Sequence, residues 1–331
     1  MNHASRIVNF SSGPAVLPET VLNDIQNELL NYQETGMSIL EMHHRSENVS
    51  QILCEISSDL KSLLKLSDDF EILFIPGGAS FQFVLIPMNL LTGHQRASYI
   101  NTGRWSERAI NEARRFGFVD IIYDAKAADH RFYHVPTPDQ LFFPADSRYI
   151  YLTSNNTVMG TQYHVYPIAP KGIPLVADMS SDILSKEIPS DQFGIVFAGA
   201  QKNLGAAGLS IVIIRKEILS ACNDTTPSVF NYKTIASYGS RYNTPPVFQL
   251  YLTHKIVKWT CQVGGIKEMS RRNLEKSALI YGILDEDSLF WNNRVDPGSR
   301  STMNIVWDMP SEELRMLFLQ LAEREGMVGL A

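Results

Sequence analysis

Lys202 and Asp178 are the residues with the clearest capacity for chemistry. Lys202 lies in Phe197-Ala-Gly-Ala-Gln-Lys-Asn-Leu-Gly-Ala-Ala-Gly208, between an apolar run and a Gly/Ala-rich turn that enters the next apolar run. An arbitrary loop lysine is a solvated cation. Here the small flanking residues leave room for a ligand against the backbone. A lysine partly withdrawn from water has a lowered pKa and can form a Schiff base. Asp178 ends the run Pro174-Leu-Val-Ala-Asp. A carboxylate at the tip of a buried strand is costly without a partner. One reading makes it a turn or cap residue with Ser180 and Ser181. The other makes it the counter-charge to a protonated ring nitrogen, which a cofactor acting as an electron sink requires. Lysine and carboxylate one strand-pair apart favour the second reading.

The surrounding elements must hold that pair. Val21, Leu22, Ile25 and Leu29 recur at helical spacing after Pro18, and Val49, Ile52, Leu53, Ile56, Leu60, Leu63 and Leu64 do so over a longer helix. Glu71–Ile75 reads as a buried strand ending in Pro76-Gly77-Gly78, with a helix from Ser80 to about Leu90 behind it. Strand, helix and strand follow at Ala97–Ile100, Ser106–Phe116 and Phe118–Tyr123. Tyr149–Thr153, Pro174–Asp178, Gly194–Ala198 and Leu209–Arg215 are further strands. Most are apolar throughout, as strands covered on both faces are. The alternation predicts an α/β domain with a mostly parallel sheet, whose ligands collect beyond the C-terminal strand ends. From about Pro246 the texture changes. Two helices, Val247–Cys261 and Ile266–Leu284, precede a strand at Met303–Trp307 and a helix at Ser311–Glu325. The reading is a large domain over residues 16–260, a smaller α+β domain over 261–331, and an N-terminal segment, 1–15, associated with the small domain.

The 331-residue length suits two domains, and 44% hydrophobic with 19% charged residues is a globular composition. A net charge of −6 argues against nucleic acid as the main partner. Cys54, Cys222 and Cys261 are far apart and show no metal-ligand spacing, so no metal site is expected. Dispersed cysteines, an N-terminus without an apolar signal core, and the lack of a long apolar stretch lead to the expectation of a soluble cytoplasmic protein without membrane contact.

The chain resembles the phosphoserine aminotransferases, fold-type I pyridoxal-phosphate enzymes of the class-V aminotransferases. The resemblance rests on Asp178 with Ala198-Gly-Ala-Gln-Lys-Asn203, and on stations in order along the chain. These are Asn9-Phe-Ser-Ser-Gly-Pro14, Gly36-Met-Ser-Ile-Leu-Glu-Met-His-His-Arg45, Pro76-Gly-Gly-Ala-Ser-Phe-Gln-Phe83, Asn101-Thr-Gly-Arg-Trp-Ser106, Asn155-Asn-Thr-Val-Met-Gly160 and Tyr242-Asn-Thr-Pro-Pro246. It implies that Lys202 carries pyridoxal 5′-phosphate and shuttles the proton between the substrate Cα and the cofactor C4′. Asp178 would pair with the pyridinium nitrogen, Trp105 would stack on the ring, and Thr157 would bond the phenolic oxygen. Ala79, Ser80 and Gln201 would hold the phosphate, joined by Asn243 and Thr244 from a second subunit, so a homodimer with shared sites is implied. Arg45 would clamp a substrate carboxylate in bidentate fashion and His44 would assist an anionic group. Alone, Arg45 reads as a surface arginine, Trp105 as a core tryptophan and Asn243-Thr244 as a turn.

The implied reaction exchanges O-phospho-L-serine and 2-oxoglutarate for 3-phosphohydroxypyruvate and L-glutamate, a step of serine biosynthesis. Members of that family continue beyond the position of Ala331 with a His-Arg and a later Arg for the substrate's anionic groups. A truncated small domain is therefore expected, with an open strand edge. The alternative is a pyridoxal-phosphate-binding dimer with little or no transaminase activity. A cysteine desulfurase would need a nucleophilic cysteine on a mobile loop, and Cys54 reads as lying on an apolar helix face.

Overall fold

The computed structural model describes residues 6–287 and 290–330. Residues 1–5 of the expected N-terminal segment, and Ala331, lie outside the described residues. The centre is a seven-stranded sheet. Its strands are β1 (Phe70–Pro76), β2 (Arg96–Asn101), β3 (Phe118–Asp124), β4 (Ser147–Thr153), β5 (Leu175–Asp178), β6 (Phe193–Gly199) and β7 (Leu209–Arg215), in the spatial order β1-β7-β6-β5-β4-β2-β3. The pairs β6–β5, β5–β4, β4–β2 and β2–β3 are parallel. β7 alone is reversed, antiparallel to both β1 and β6.

Sequence patterning explains this layout. β4 through β7 are almost wholly buried, and their Val, Ile, Leu and Phe side chains feed a core on each face of the sheet. β3 lies at the edge and is half-exposed. The Glu47–Leu63 helix buries Val49, Ile52, Leu53, Ile56 and Leu60 on one side, and Ser46 caps its start by accepting from the Val49 amide. The Ala79–Leu90 helix is apolar on most faces and, beyond its exposed first turn at Ser80 and Phe81, is largely covered.

The predicted elements fall within two or three residues of those observed, the helix expected over Ser106–Phe116 spanning Arg104–Ala113, with one clear exception. Residues 303–307 form no strand; Asn292 and Asp308 make an isolated bridge beside them. The Met303 and Asn304 amides donate to Ser301 Oγ, Asn304 Oδ1 accepts from Asn155, and Thr302 just before them donates to Gln162. At the C-terminus, Ser311 accepts from the Leu314 amide and starts the Glu312–Arg324 helix. Met327–Val328 then pairs in parallel with Val8–Asn9. The N-terminal segment thus joins the C-terminal end before it runs onward over the sheet.

Gln82, on the Ala79–Leu90 helix, is fully enclosed. Its Nε2 donates to Ser210 Oγ at 2.9 Å and its Oε1 accepts from the Tyr232 hydroxyl at 2.6 Å. Gln82→Ala leaves that hydroxyl buried without a partner and opens a void. Unfolding by urea should show a loss of about 2–4 kcal/mol. An unchanged midpoint would mean that Tyr232 finds another acceptor.

Candidate active site

The C-terminal ends of the parallel strands converge on one place. β5 ends in Asp178, which is 4% exposed. Its Oδ1 accepts from the Ser180 amide at 2.9 Å and the Ser180 hydroxyl at 2.5 Å. Among the described residues no donor reaches Oδ2, which leaves that oxygen for a ligand. Burial pushes the Asp178 carboxyl up; the Ser180 hydrogen bonds and the Lys202 charge oppose the shift.

β6 ends in Gly199, and Lys202 follows in the short loop before β7. Ala200 N donates to Leu209 O at 2.9 Å, which closes the loop at its base. Burial holds the Lys202 ammonium below the ordinary lysine range, against the pull of Asp178 and Asp182. Its Nζ lies 3.4 Å from Thr157 Oγ1 and 5.8 Å from the centroid of the Trp105 ring. Trp105 Nε1 donates to the same hydroxyl oxygen at 3.0 Å. Thr157 therefore accepts from both, and its own O–H remains free to donate. Trp105 stands inside the first turn of the Arg104–Ala113 helix.

The concavity expected to hold a phosphate lies past the ends of β1 and β6. After Pro76, Gly77 takes φ +104° and Gly78 opens the Ala79–Leu90 helix without a side-chain cap. The amides of Ala79 and Ser80 therefore stand at a bare helix N-terminus, which favours an anion. Ala79 is half-buried and Ser80 exposed. A Cβ on Gly199 would sit 2.5 Å from Gln201 Oε1 and 3.1 Å from the Ala79 amide nitrogen, so glycine keeps this concavity open. Gln201 Oε1 is itself enclosed with no hydrogen-bond partner among the described residues.

Other expected residues lie apart from this cluster. Arg45 is exposed, ahead of the Ser46 cap of the Glu47–Leu63 helix. Asn243 and Thr244 are exposed in a turn, where Asn243 Oδ1 accepts from the Thr244 amide at 2.9 Å. Arg241 binds these two surface pieces together, donating to Ser50 Oγ at 2.6 Å. His44 belongs to the same patch. Slight burial and the charges of Arg45, His43 and Arg241 lower its pKa.

Two residues at the site went unread in the sequence. Gly13 packs on the lysine, and a Cβ there would meet Lys202 Cγ at 3.0 Å and Cε at 3.1 Å. Ala15 N, donating to Gln201 O at 2.9 Å, holds that segment in place. The other is Asp182, buried near both Asp178 and Lys202. Its signal was the second carboxylate in Asp178-Met-Ser-Ser-Asp182.

The model of the class-V aminotransferase family matches residues 7–325. The phosphoserine aminotransferase of Bacillus cereus is 45% identical over 325 residues, which are 98% of this chain and 89% of the relative. That of Geobacillus kaustophilus is 42% identical over the same share of each chain. The chain belongs to the phosphoserine aminotransferase family. The solved phosphoserine aminotransferase of Bacillus circulans subsp. alkalophilus superposes with a TM-score of 0.95 at 39% identity, covering 99% of this chain and 90% of that one. The pyridoxal-phosphate-bound enzyme of Trichomonas vaginalis gives 0.91 at 33% identity, covering 97% and 90%.

As a member of this family the chain is an aminotransferase that uses pyridoxal phosphate. Its own residues fit the group. There is an enclosed carboxylate for a ring nitrogen, an indole face beside the lysine, a hydroxyl with a free hydrogen, and a glycine-lined concavity with unspent donors. The orphaned Gln201 amide fits too, since a half-turn presents its NH2 to a phosphate. The cysteines do not suit desulfuration. Burial pushes the Cys222 thiol up to about 12. Cys54, expected on the apolar face of its helix, is exposed, because Ile52, Leu53 and Ile56 take the inward positions.

Among the described residues no helix is long and apolar enough to cross a membrane.

Two outcomes follow from this geometry. Gly13→Ala drives a methyl group into the Lys202 side chain, and turnover by the loaded enzyme should fall about tenfold, since small misplacements at a reacting group are expensive. Wild-type turnover would mean that the segment gives way. The second concerns uptake of pyridoxal phosphate, in which the neutral amine is the attacking form. The rate at which the visible absorbance band grows should rise with pH and level off at a midpoint below the ordinary lysine value of about 10.4. A midpoint at or above that value contradicts a desolvated Lys202.

Proposed function

We propose that the chain transfers the amino group between O-phospho-L-serine and 2-oxoglutarate, giving 3-phosphohydroxypyruvate and L-glutamate, as in L-serine biosynthesis. The observation that carries this is Lys202 Nζ beside the Thr157 hydroxyl and the Trp105 ring, with Asp178 at the adjacent strand end. The alternative, a dimer that binds the cofactor without turnover, is not favoured. The likeness to relatives named phosphoserine aminotransferase runs over 98% of the chain.

Bound pyridoxal phosphate, its ring nitrogen protonated, supplies an electron sink for bond cleavage at the substrate Cα. The chain does the rest. Asp178, held on one oxygen by Ser180, uses the other to keep a proton on the ring nitrogen. A cation placed there lowers the carboxyl's pKa, against the effect of burial. With the substrate amine in its place on the cofactor, the Lys202 Nζ would be free to take the proton from the substrate Cα and deliver it to the cofactor C4′, and to run the same transfer in reverse for the second substrate. Desolvation keeps the amine neutral at lower pH, as a general base requires. Thr157 donates its free hydrogen to a phenolic oxygen. Trp105 covers one ring face and, with Gly13 on the lysine, limits water. Ala79, Ser80 and Gln201 bind the phosphate.

We assign Asn243, Thr244, Arg45 and His44 to the site of a second copy. They are partly or fully exposed, are linked through Arg241 and Ser50, and none bonds to Lys202, Gln201 or Asp178 within the chain. Exposed Met37, Leu40, Tyr238 and Tyr242, close to these residues in the chain, add apolar area suited to an interface. Asn243 and Thr244 would then reach the partner's phosphate, while Arg45 and His44 would bind carboxylate and phosphate oxygens of the amino acid. We take residues 261–331 with the N-terminal segment as the small domain, residues 16–260 as the large one, and the cytoplasm as the compartment.

The test is glutamate formation from phosphoserine and 2-oxoglutarate. Wild type should form it, and Lys202→Ala should lose both the visible band and activity. Mixed heterodimers of Lys202→Ala with Arg45→Ala should recover up to about a quarter to a half of wild-type turnover per dimer, because one site then has every residue. No glutamate from wild type would reject the substrate reading, and no recovery on mixing would reject the shared site.

A further inference from the structure

Asp182 stands outside the set that would touch cofactor or substrate, yet it is 1% exposed. A carboxylate buried this deeply is costly unless its bonds hold something of value. Both of its hydrogen bonds fall on Oδ2 and on one small feature of the fold. Ser154 Oγ donates at 2.6 Å and Gln162 Nε2 at 3.2 Å. Ser154 and Gln162 flank the base of a hairpin whose two short strands are Asn155–Asn156 and Thr161–Gln162. Its turn carries Thr157, whose oxygen receives both the Lys202 ammonium and the Trp105 indole.

The hairpin base is tied on its far side as well. Gln162 Oε1 accepts from Thr302 N at 3.0 Å and Thr302 Oγ1 at 3.1 Å. Asn155 Nδ2 reaches Asn304 Oδ1 at 2.8 Å and Ser181 Oγ at 2.8 Å. Ser301 N donates to Gly160 O at 2.9 Å. Gln162 is therefore a splice. One end of its amide is held by Asp182, and the other fixes the main chain of the 301–304 segment. Without a fixed acceptor on Asp182, the Gln162 amide is free to rotate, and both ties loosen together.

Burial pushes the Asp182 carboxyl up, and Lys186, the Ser154 and Gln162 hydrogen bonds and Lys202 oppose that shift. Asp178 shares its surroundings, and Tyr166 and His164 feel its field. Lys186 Nζ donates to Tyr163 O, so this cation also stays close to the hairpin.

We propose that Asp182 is a positioning residue for the transamination: through Ser154 and Gln162 it fixes the Asn155–Gln162 hairpin, so that Thr157 meets Lys202 and Trp105 in the reactive arrangement. The proposal rests on the transaminase reading and adds a residue to it. It requires geometry from Asp182 rather than charge, and this separates the two substitutions Asp182→Asn and Asp182→Ala. The amide oxygen of Asn accepts the same two hydrogen bonds, and Ala accepts none.

The experiment uses the pyridoxal-phosphate-loaded protein and two readouts. The first is the visible circular dichroism of the bound cofactor, which reports its fixed orientation and needs no amino-acid substrate. The second is the separation of kcat from KM with phosphoserine. Asp182→Ala should lose at least about half of the dichroic signal and lower kcat ~30-fold, with KM within about threefold, because misplacement acts on the reacting geometry. Asp182→Asn should restore both to within about fivefold of wild type. Gln162→Leu, which leaves the carboxylate in place, should reproduce the Ala phenotype and carries the test if Asp182→Ala does not fold. Wild-type signal and kcat in Asp182→Ala and Gln162→Leu would overturn the proposal. So would an Asn variant as impaired as the Ala variant, because the charge would then be the operative property. If wild type shows the dichroic band but no turnover of phosphoserine, the substrate reading falls. The dichroic comparison of the variants then still decides the role of Asp182.

Discussion

Two opposite charges, Asp178 and Lys202, share the water-poor C-terminal ends of neighbouring strands β5 and β6. Left alone, each would be driven towards its neutral form by burial. Together they hold each other in check, with Ser180 locking one oxygen of the carboxylate. The pairing works because the strands are parallel and adjacent, which places both tips at the same edge of the sheet. Every other contact around them refines the separation and the amount of water. Gly13 and Trp105 enclose the lysine stem and head, and Thr157 gives the ammonium an acceptor.

The arrangement also explains why the residues of the candidate site come from so many places in the sequence. A mostly parallel sheet returns the chain to the same end after each crossover. The residues at or just after the ends of β1, β2, β4, β5 and β6 are therefore neighbours in space: Ala79, Trp105, Thr157, Asp178 and Lys202. The second tier is organised differently. Asp182, Ser154, Gln162 and Thr302 are joined by side-chain hydrogen bonds that link the sheet's loops to the segment following Ser299.

Much of this was legible in the sequence, for physical reasons that differ between elements. The apolar runs of β4 to β7 have few alternatives to a doubly covered strand, and the 3.6-residue period of the Glu47–Leu63 helix identifies its inner face. Lys202 and Asp178 stood out because a charge amid small and apolar residues needs a reason. Met303–Trp307 had the composition of a strand but not its partners; Asn304 is engaged by Asn155, a side chain far away in sequence. The contact of Gly13 with Lys202 was equally invisible, since nothing local indicates which side chain will lie against a glycine. Arg45, Asn243 and Thr244 lie away from the lysine in their own chain, and only family resemblance connected them to it.

The reversal of β7 has a further consequence. Two adjacent parallel strands need a crossover that travels back along the sheet, whereas adjacent antiparallel strands can be joined by a tight loop. Because β7 runs against β6, residues 200–208 turn at the active-site end and never leave it, with Ala200 N bonded to Leu209 O. The lysine is thereby anchored at both ends of a short arch springing from two hydrogen-bonded strands. Such an arch has little slack, so an inserted residue would lift the amine away from its carboxylate rather than bulge harmlessly into solvent. The reversed strand also spaces β1 from β6 by two strand intervals, about 10 Å. Past the start of β7 the gap narrows, and the Ala79 amide nitrogen comes to within 3.1 Å of where a Cβ on Gly199 would sit.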